Sequence, residues 1–286
     1  MDQAYDLVIP VFNRLEYTQA CLSSLLKTDS GTLLRPIIVD NGSRRRTRGY
    51  LDQWIEEAKA CPYLRDPILV SHTHNLGFAA AVNAAVRQSP EGKYAFLMHN
   101  DCVPFNGWAG EMLDCLKFHE ADDAIVVVPR TSYANETGPC VIDIRHKFEV
   151  MKPSNKETVR DEDIRELLVR LYPDRNGFLS DLKTSQRTTY VPEIASFCMV
   201  VSKPLLVERP FDEDFWPRFF EDKFWFLPYE RQGCICMISN WSYVHHFGNI
   251  TTDGPGFSMP DLFELNMAKF KEKVRILNEN SAPKKT

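Results

Sequence analysis

The chain has 286 residues, of which 44% are hydrophobic and 26% are charged, as in an average soluble globular protein. Its formal net charge of −5 disfavours a protein that holds duplex nucleic acid through phosphate contacts. The length suffices for one large domain or two small ones with a buried core. No stretch approaches the roughly 20 apolar residues of a membrane span, which excludes a transmembrane segment and leaves only peripheral membrane contact.

The cysteines and the N-terminus both favour a cytoplasmic location. None of the eight cysteines forms a CxxC pair, and the chain is too long for a small disulfide scaffold, so reduced thiols are expected. The alternating Cys234 and Cys236 fit one face of a strand as structural thiols. The first residues carry no basic segment followed by an apolar one, so no signal peptide is expected. We therefore expect a cytoplasmic protein, with peripheral contact at the inner membrane face as the alternative.

The first third of the chain alternates strand and helix patterns. Short β-rich runs predict strands at residues 5–11, 36–39, 67–71, 94–98 and 124–128. Apolar residues at helical spacing predict helices between them, at residues 13–26, 50–60, 77–87 and 107–118. This order predicts βαβ units and an α/β fold with a mainly parallel sheet.

Polar side chains follow four of these strands at the point where each strand ends. Ligands of parallel sheets bind at the carboxyl edge, where such side chains meet. A purely structural sheet would need only turn residues there. We therefore expect a polar ligand near Asn13, Asp40, His72, His74, Asn75 and the His99-Asn100-Asp101 triplet.

The second half of the chain is less regular. Residues 132–190 lose the alternation and contain one clear helix, at residues 161–172, so they are interpreted as an insertion over the carboxyl edge of the sheet. Strands are predicted again at residues 193–201, 233–238 and 241–244. We expect one domain at residues 1–256, an amphipathic C-terminal helix within residues 257–280 and a disordered tail at residues 281–286.

Six segments together resemble the family 2 glycosyltransferases of the GT-A fold, and most closely their rhamnosyltransferase-like branch. Each segment alone is a weak signal, but their order and spacing make the set specific. The resemblance covers most of residues 5–128 and 193–252, and residues 132–190 match no segment that we can place. The segments are VIPVFNR at 8–14, IIVDNGS at 37–43, HNLGFAAAVN at 74–83, HND at 99–101, FDEDFWPRFFED at 211–222 and VHHFGN at 244–249.

The resemblance implies a pocket for a nucleoside-diphosphate sugar. Asp40 would accept hydrogen bonds from the base or ribose, although its DNGS context also fits a simple turn. Gly77 would allow close backbone approach, although it also fits an ordinary helix start. The basic run at residues 44–48 could meet phosphate but fits a solvated face better. The remaining implied donor contacts are Pro10, Phe12, Asn13, Asn75, Asn100 and Arg231.

The family carries DxD or NxD at the end of the fourth strand, where a divalent cation bridges the two phosphates. Here the triplet begins with His99 and keeps the acid at Asp101. The resemblance makes Asp101 a metal ligand, and His99 either a second ligand or a contact to the sugar or ribose. A distant histidine should complete the site, and of the adjacent pair we favour His245 over His246. Histidine ligands favour Mn²⁺ over Mg²⁺.

The acid pair at residues 221–222 follows two phenylalanines. By resemblance, Asp222 is the base that takes the proton of the acceptor hydroxyl, and Glu221 orients it or contacts the acceptor. The alternative is an acid pair that only stabilises a helix N-terminus. The surrounding aromatic residues include one expected sugar contact, among Trp216, Phe219, Phe220 and Trp225.

These assignments predict an inverting, metal-dependent glycosyltransferase that uses a UDP-sugar or dTDP-sugar, with a guanine nucleotide as a less favoured donor. The expected acceptor is a surface glycan or its lipid-linked precursor. One alternative is a viral-type enzyme with a modified DNA base as acceptor, held by a basic groove at Arg145, His146, Lys147 and Lys152. Another is a nucleotide-sugar binding module without catalysis, as the changed first metal position would suggest. The sequence is also compatible with a homo-oligomer.

Overall fold

The first four strands form a parallel half-sheet, as the alternation predicts. A computed structural model describes residues 3–89, 91–134, 139–152, 159–191, 194–248 and 258–281. Adjacent strands pair in the order β3, β2, β1, β4, and all three pairings are parallel. The elements are β1 (Tyr5–Val11), α1 (Leu15–Leu25), β2 (Leu34–Asn41), α2 (Arg45–Ala58), β3 (Ile68–His72), α3 (Phe78–Gln88) and β4 (Tyr94–Met98).

The later strands extend this sheet with mixed pairing. After β4 the order continues β8, β6, β9, β5, and β7 pairs with β9. The antiparallel pairing of β4 with β8 joins the two halves. The two strands predicted at residues 233–238 and 241–244 form one long strand, whose pairing with β6 contains an irregularity. The elements are β5 (Cys102–Pro104), β6 (Ala124–Arg130), β7 (Thr188–Val191), β8 (Cys198–Ser202) and β9 (Ile235–His246).

Two apolar cores cover the two faces of the sheet. One contains Trp54 of α2 and Met112 of α4 (Trp108–Phe118) against β1 and β4. The other contains Val82 of α3 and Trp225 of α9 (Glu221–Glu230), with the short α8 (Lys203–Glu208). Both faces are therefore buried, which agrees with the continuous apolar runs of β1 and β4.

The inserted segment forms its own apolar layer against α1, β5 and β9. It contains α5 (Ile142–Met151), α6 (Asp161–Leu171) and α7 (Arg175–Leu182), whereas the sequence predicts only the second. Leu167 and Phe148 belong to a third core cluster that also includes Tyr17 of α1. The insertion is thus anchored at the side of the sheet where β9 ends.

The C-terminal helix α10 (Met259–Ser281) packs against the start of α9. Its apolar residues meet a small cluster of phenylalanines that includes Phe215 and Phe220. None of the helices in the described ranges is both long and apolar enough to span a membrane. Apart from Ser281, the predicted tail lies outside the described residues, as does residue 193 at the start of a predicted strand.

Candidate active site

The triplet after β4 is brought to the end of β9 by strand pairing. β5 follows the triplet directly and pairs antiparallel with β9, so that Cys102 lies opposite His246. The backbone amide of Phe247 also donates to the carbonyl oxygen of Asp101, at 3.0 Å. These contacts fix Asp101 beside the end of β9, although more than 140 residues separate the two in sequence.

Three side chains converge there in a geometry that suits a metal ion. The Oδ1 atom of Asp101 lies 3.4 Å from Nε2 of His246 and 3.9 Å from Nδ1 of His99. One candidate ligand atom from each of the three residues lies within 4.8 Å of the others. Ligand atoms about 2.0–2.2 Å from a shared ion have similar separations. The arrangement can therefore hold a divalent cation with two nitrogen ligands and one oxygen ligand.

Hydrogen bonding orients His246 toward this point. Its Nδ1 lies 2.8 Å from the carbonyl oxygen of Tyr133, an acceptor, so Nδ1 carries the proton. The ring also stacks on Phe197, with centroids 4.9 Å apart. Among the described residues, neither His246 Nε2 nor Asp101 Oδ1 has a hydrogen-bond partner, and both are buried. In the neutral ring, the Nε2 lone pair faces Asp101 Oδ1, and a cation between these two atoms would give both a partner, so the residues fit a metal ion.

The structure brings His246 into this group, whereas the sequence favours His245. The two side chains point to opposite faces of β9, as expected for neighbours on a strand. His245 is fully buried, and its Nδ1 lies 2.8 Å from the hydroxyl of Tyr172 in the insertion. Its ring packs edge-on against Phe148 of α5. His245 is thus part of the insertion's core and lies apart from the three-residue cluster.

Charge and burial set the protonation of the cluster. Burial alone would raise the pKa of Asp101, but His246 and His99 outweigh this and hold its pKa well below the usual range. Burial lowers the pKa of His99 to about 3, despite the nearby carboxylate. At neutral pH, Asp101 is therefore ionised and His99 is neutral, the forms in which each can bind a metal.

Asn100, expected at the donor, faces helix α1 instead. Its side-chain amide donates to the hydroxyl of Thr18 at 2.8 Å, and this bond is buried. The same hydroxyl donates to the carbonyl oxygen of Asn13. Asn100, the middle residue of the triplet, therefore links the ends of β4 and β1 through Thr18. His99 and Asp101, on either side of it, belong to the cluster.

Asp40 has both of its carboxylate oxygens occupied. One accepts the backbone N–H of Ser43 at 2.8 Å, which is the turn that the DNGS segment predicts. The other accepts the Nε–H of Arg48 at 2.9 Å, and Asp40 is fully buried. Within the basic run at residues 44–48, Arg48 therefore pairs with Asp40 and also donates to the carbonyl oxygen of His72. These two contacts give Arg48 a structural role.

The start of α3 forms the neighbouring part of the sheet edge. The Oδ1 of Asn75 accepts the N–H of Gly77 and the side-chain amide of Asn41, both at 2.9 Å. Gly77 has φ +90°, and a Cβ there would lie 2.9 Å from Cδ1 of Trp216. The residue must therefore be glycine because of both its backbone angle and the close indole. Asn41 organises this segment and was not singled out by the sequence.

The N-terminal segment lies beside the turn after β2. Pro10, Phe12 and Asn13 are each partly exposed. Asn13 has a φ of 55°. Its backbone N–H donates to the hydroxyl of Ser43, and its side-chain Oδ1 accepts the backbone N–H of Arg44. These contacts join the ends of β1 and β2 and leave an accessible edge next to Asp40.

The acid pair occupies the first turn of α9, after two strained residues. Phe219 and Phe220 have φ values of 82° and 73°. Left-handed backbone costs on the order of 1–3 kcal/mol at a residue other than glycine, and such strain is concentrated at functional sites. Asp222 Oδ2 accepts the N–H of Ser196 at 3.3 Å, and Oδ1 accepts that of Lys223 at 2.8 Å.

The two acids differ strongly in environment. Glu221 is only 5% exposed, and its Oε2 has no partner among the described residues. Burial, reinforced by the neighbouring Asp222, raises the pKa of Glu221 to about 8. Asp222 is more accessible and accepts two backbone hydrogen bonds. At neutral pH, Glu221 is thus largely a neutral hydrogen-bond donor, which leaves Asp222 as the better candidate base.

Two consecutive residues, Ser196 and Phe197, contact both the acid pair and the cluster of His99, Asp101 and His246. The N–H of Ser196 contacts Asp222, and the next residue, Phe197, accepts the N–H of His99 at 2.8 Å. The Phe197 ring is the one that stacks on His246. Asp222 and the cluster therefore contact adjacent residues of one backbone segment.

Arg218 and Arg231 have different positions relative to this site. The charge of Arg218 lowers the pKa values of Asp101, His99 and Glu221, so it lies within electrostatic range of both halves. The sequence did not single it out, although it stands three residues before the acid pair. Arg231, an expected donor contact, lies at the far end of α9 and donates to Asn278 of α10. It is therefore distant from the acid pair along the helix.

Comparison with known proteins supports a family assignment. The sequence profile of "Glycosyl transferase family 2" matches residues 6–167, more than half of the chain. The chain belongs to the family 2 glycosyltransferases. No curated protein matches the sequence.

Solved structures similar to this glycosyltransferase share its fold at low sequence identity. Crystal structures of S. aureus TarS 1–349, alone and with UDP-GlcNAc, align with a TM-score of 0.53 and 14% identity over 94% of this chain. GalNAc-T7 with UDP, GalNAc and Mn²⁺ aligns with a TM-score of 0.59 and 12% identity, also over 94%. The chain spans 64% of the TarS 1–349 chain and 49% of GalNAc-T7. These alignments establish a common GT-A architecture.

Proposed function

We propose that this chain is an inverting, metal-dependent glycosyltransferase that moves a sugar from a nucleoside-diphosphate donor to an acceptor hydroxyl. The observation that carries the proposal is the meeting of Asp101 and His246, whose buried atoms face each other without a partner among the described residues. The Asp222 carboxylate is linked to this pair through Ser196 and Phe197. A site of this kind combines charge stabilisation at a leaving diphosphate with a base on the acceptor side. The family assignment and the UDP-bound neighbours support the same chemistry.

In the proposed reaction, Asp222 accepts the proton of the acceptor hydroxyl while that oxygen attacks the anomeric carbon. Glu221, with a pKa of about 8, is mostly protonated and orients the acceptor by donating a hydrogen bond. A single base without a separate protein nucleophile implies one displacement, and hence inversion. A divalent ion held by Asp101, His99 and His246 would supply positive charge to stabilise the departing diphosphate.

Three side chains are proposed as the ligands of this ion: Asp101, His99 and His246. Mg²⁺ prefers oxygen ligands, whereas Mn²⁺ accepts imidazole, so the two nitrogen donors favour Mn²⁺. GalNAc-T7, with Mn²⁺ and UDP in its structure, has a related fold. His246 takes the place that the sequence gave to His245, because His245 is held by Tyr172.

The donor is proposed to be a UDP-sugar or dTDP-sugar bound at the carboxyl ends of β1 and β2 and beside the N-terminus of α3. The accessible Pro10, Phe12 and Asn13 border this edge, beside Asp40 and the Asn75–Gly77 segment. We propose a surface glycan or its lipid-linked precursor as acceptor, as in the rhamnosyltransferase-like branch, with residues 132–190 contributing to its selection. This proposal places the enzyme in the cytoplasm, with peripheral contact at the inner membrane face.

Release of nucleoside diphosphate from a panel of UDP- and dTDP-sugars tests this function. Release should require Mn²⁺, should fall strongly with Mg²⁺ alone and should stop with EDTA. NMR of the product should show an inverted anomeric configuration. Nucleotide-sugar binding without release under any of these conditions would contradict catalysis and favour a binding module.

A further inference from the structure

The loop before α9 has a backbone that needs external support. Phe219 and Phe220, in the left-handed region, lead directly into Glu221 and Asp222. Such a conformation persists only when neighbouring groups over-determine it. Whatever holds residues 215–220 therefore also sets the position of the acid pair.

Asn266 of α10 supplies the polar part of this support. The side chain is fully buried, although an amide is costly to bury without partners. The two N–H bonds of its Nδ2 group are shared among three carbonyl oxygens of the loop: Phe215 at 3.3 Å, Trp216 at 3.3 Å and Arg218 at 2.7 Å. Because all three are acceptors, the NH₂ side of the amide must face the loop.

Apolar and charged contacts surround this amide on both sides. The ring of Phe263 lies 5.6 Å from that of Phe219 and 5.1 Å from that of Phe220. On the next turns of α10, the Lys273 ammonium lies 2.8 Å from Asp212 and 2.7 Å from Asp214. Asn266 is thus the buried hydrogen-bonding centre of a larger contact between α10 and the loop.

The opposite side of the same loop holds the donor-facing segment. The indole N–H of Trp216 donates to the carbonyl oxygen of Asn75 at 3.3 Å. The carbonyl oxygen of Pro217 accepts the N–H of Phe78, the first residue of α3, at 2.9 Å. A shift of the loop would therefore alter the distance between the start of α3 and the acid pair.

We propose that Asn266 is a positioning residue, which fixes residues 215–220 so that the acid pair and the start of α3 keep the spacing that transfer requires. This inference rests on the proposed function. It assigns a role in catalysis to α10, a helix that carries none of the proposed catalytic or metal-binding residues. Since the amide donates to backbone carbonyl oxygens and carries no charge, its effect should be on geometry.

The test compares Asn266→Ala and the milder Asn266→Ser, which keeps one hydroxyl donor, with the unmodified protein. Well below the melting temperature, kcat for nucleoside-diphosphate release should fall at least tenfold in Asn266→Ala and less in Asn266→Ser. The Kd of UDP with Mn²⁺, measured by calorimetry, should stay within about twofold, because the proposed metal ligands lie on other elements. A fall in kcat without loss of nucleotide affinity distinguishes positioning from general destabilisation.

Two variants elsewhere on α10 serve as controls: one removes another side-chain amide, and the other removes part of an apolar contact. Asn278→Ala removes the hydrogen bond with Arg231 without touching the loop. Val274→Ala weakens the apolar contact of α10 further along the helix from the amide. Both should keep kcat within twofold. An equal loss of kcat in Val274→Ala at a matched melting temperature would overturn the proposal.

Amide hydrogen exchange tests the inference even if no sugar transfer is found. Asn266→Ser should speed exchange at Phe78, whose N–H bonds to the loop, and at residues 218–222 by at least tenfold. The same amides should be unchanged in Asn278→Ala. Lack of transfer by the unmodified protein would count against the proposed function alone. Unchanged exchange at these amides in Asn266→Ser would overturn the positioning role, whether or not transfer is found.

Discussion

Two adjacent histidines at the end of β9 take different roles because neighbours on a strand face opposite ways. The sequence shows that only one of them can join Asp101. Which histidine does so depends on two contacts. Cys102 pairs with His246 across the strands, and Tyr172 of the insertion hydrogen-bonds with His245. Neither contact is visible in the local sequence, since each partner is more than 70 residues away.

Alanine variants of this pair should separate metal binding from stability. His246→Ala should weaken Mn²⁺-dependent UDP binding at least tenfold, because it removes a proposed ligand. His245→Ala should leave Mn²⁺ dependence intact but should lower the free energy of unfolding by roughly 2–5 kcal/mol, because it empties a fully buried position. Calorimetry with Mn²⁺ and UDP, together with urea denaturation, checks both. The reverse pattern would restore His245 as the ligand.

Replacement of Asp222 tests the proposed base. Asp222→Asn keeps the shape and one of the two backbone hydrogen bonds, but it cannot take a proton. The expected loss in kcat is about 10²–10⁴-fold, with nucleotide affinity near normal. Steady-state kinetics and calorimetry provide the two measurements. A variant that keeps more than half of the activity would remove Asp222 from this role.

The raised pKa of Glu221 predicts a pH-dependent stability. Its folded-state pKa of about 8 lies above the ordinary value of 4.5, so the folded state holds this proton more tightly than the unfolded state. Stability from this group is complete below about pH 4.5 and declines as the pH rises toward 8, by at most about 1.4 kcal/mol per pH unit. Glu221→Gln should remove this decline. Its melting temperature relative to the unmodified protein should therefore rise between pH 5 and 8, and a constant difference would contradict the prediction.

At the scale of elements, long and regular patterns were predicted well. The strands Tyr5–Val11 and Tyr94–Met98 have the bounds that their apolar runs predict, and α6 starts at the predicted Asp161. Helices α5 and α7 were missed because few of their residues are buried; α7 has no buried residue. Short helices that contact their neighbours at isolated positions leave no periodic signal.

A pair of glycines provides an element-scale prediction. Gly77→Ala should lower both stability and the rate of nucleoside-diphosphate release. The φ of +90° at this position is unfavourable for alanine, and the added Cβ would meet Trp216. A Cβ added at Gly49, within α2, would have no neighbouring atom within 4 Å. Gly49→Ala should therefore stabilise the protein by about 0.5–1 kcal/mol without affecting activity. Denaturation curves and the release assay check the two variants, and equal effects in both would contradict this account.

At the scale of the whole molecule, the sequence indicated most segments of the candidate site but not the contacts that assemble them. The ends of β1, β2 and β4 and the acid pair were found from strand endings and family resemblance. Ser196 and Phe197, which contact the acid pair and the cluster, were not found, and the pairing of Arg48 with Asp40 was not predicted. These residues act through tertiary contacts with distant segments, and their own sequence neighbourhoods carry no motif.

The central claim is that one divalent ion lies between Asp101 and His246, on the donor side of Asp222. Anomalous diffraction at the manganese edge, from crystals grown with UDP and Mn²⁺, tests it most directly. If these residues hold the ion, we expect a single strong peak within about 2.0–2.3 Å of both Asp101 Oδ1 and His246 Nε2, with the UDP diphosphate as a further ligand. A peak at another place, or bound UDP without a metal at these two atoms, would contradict it.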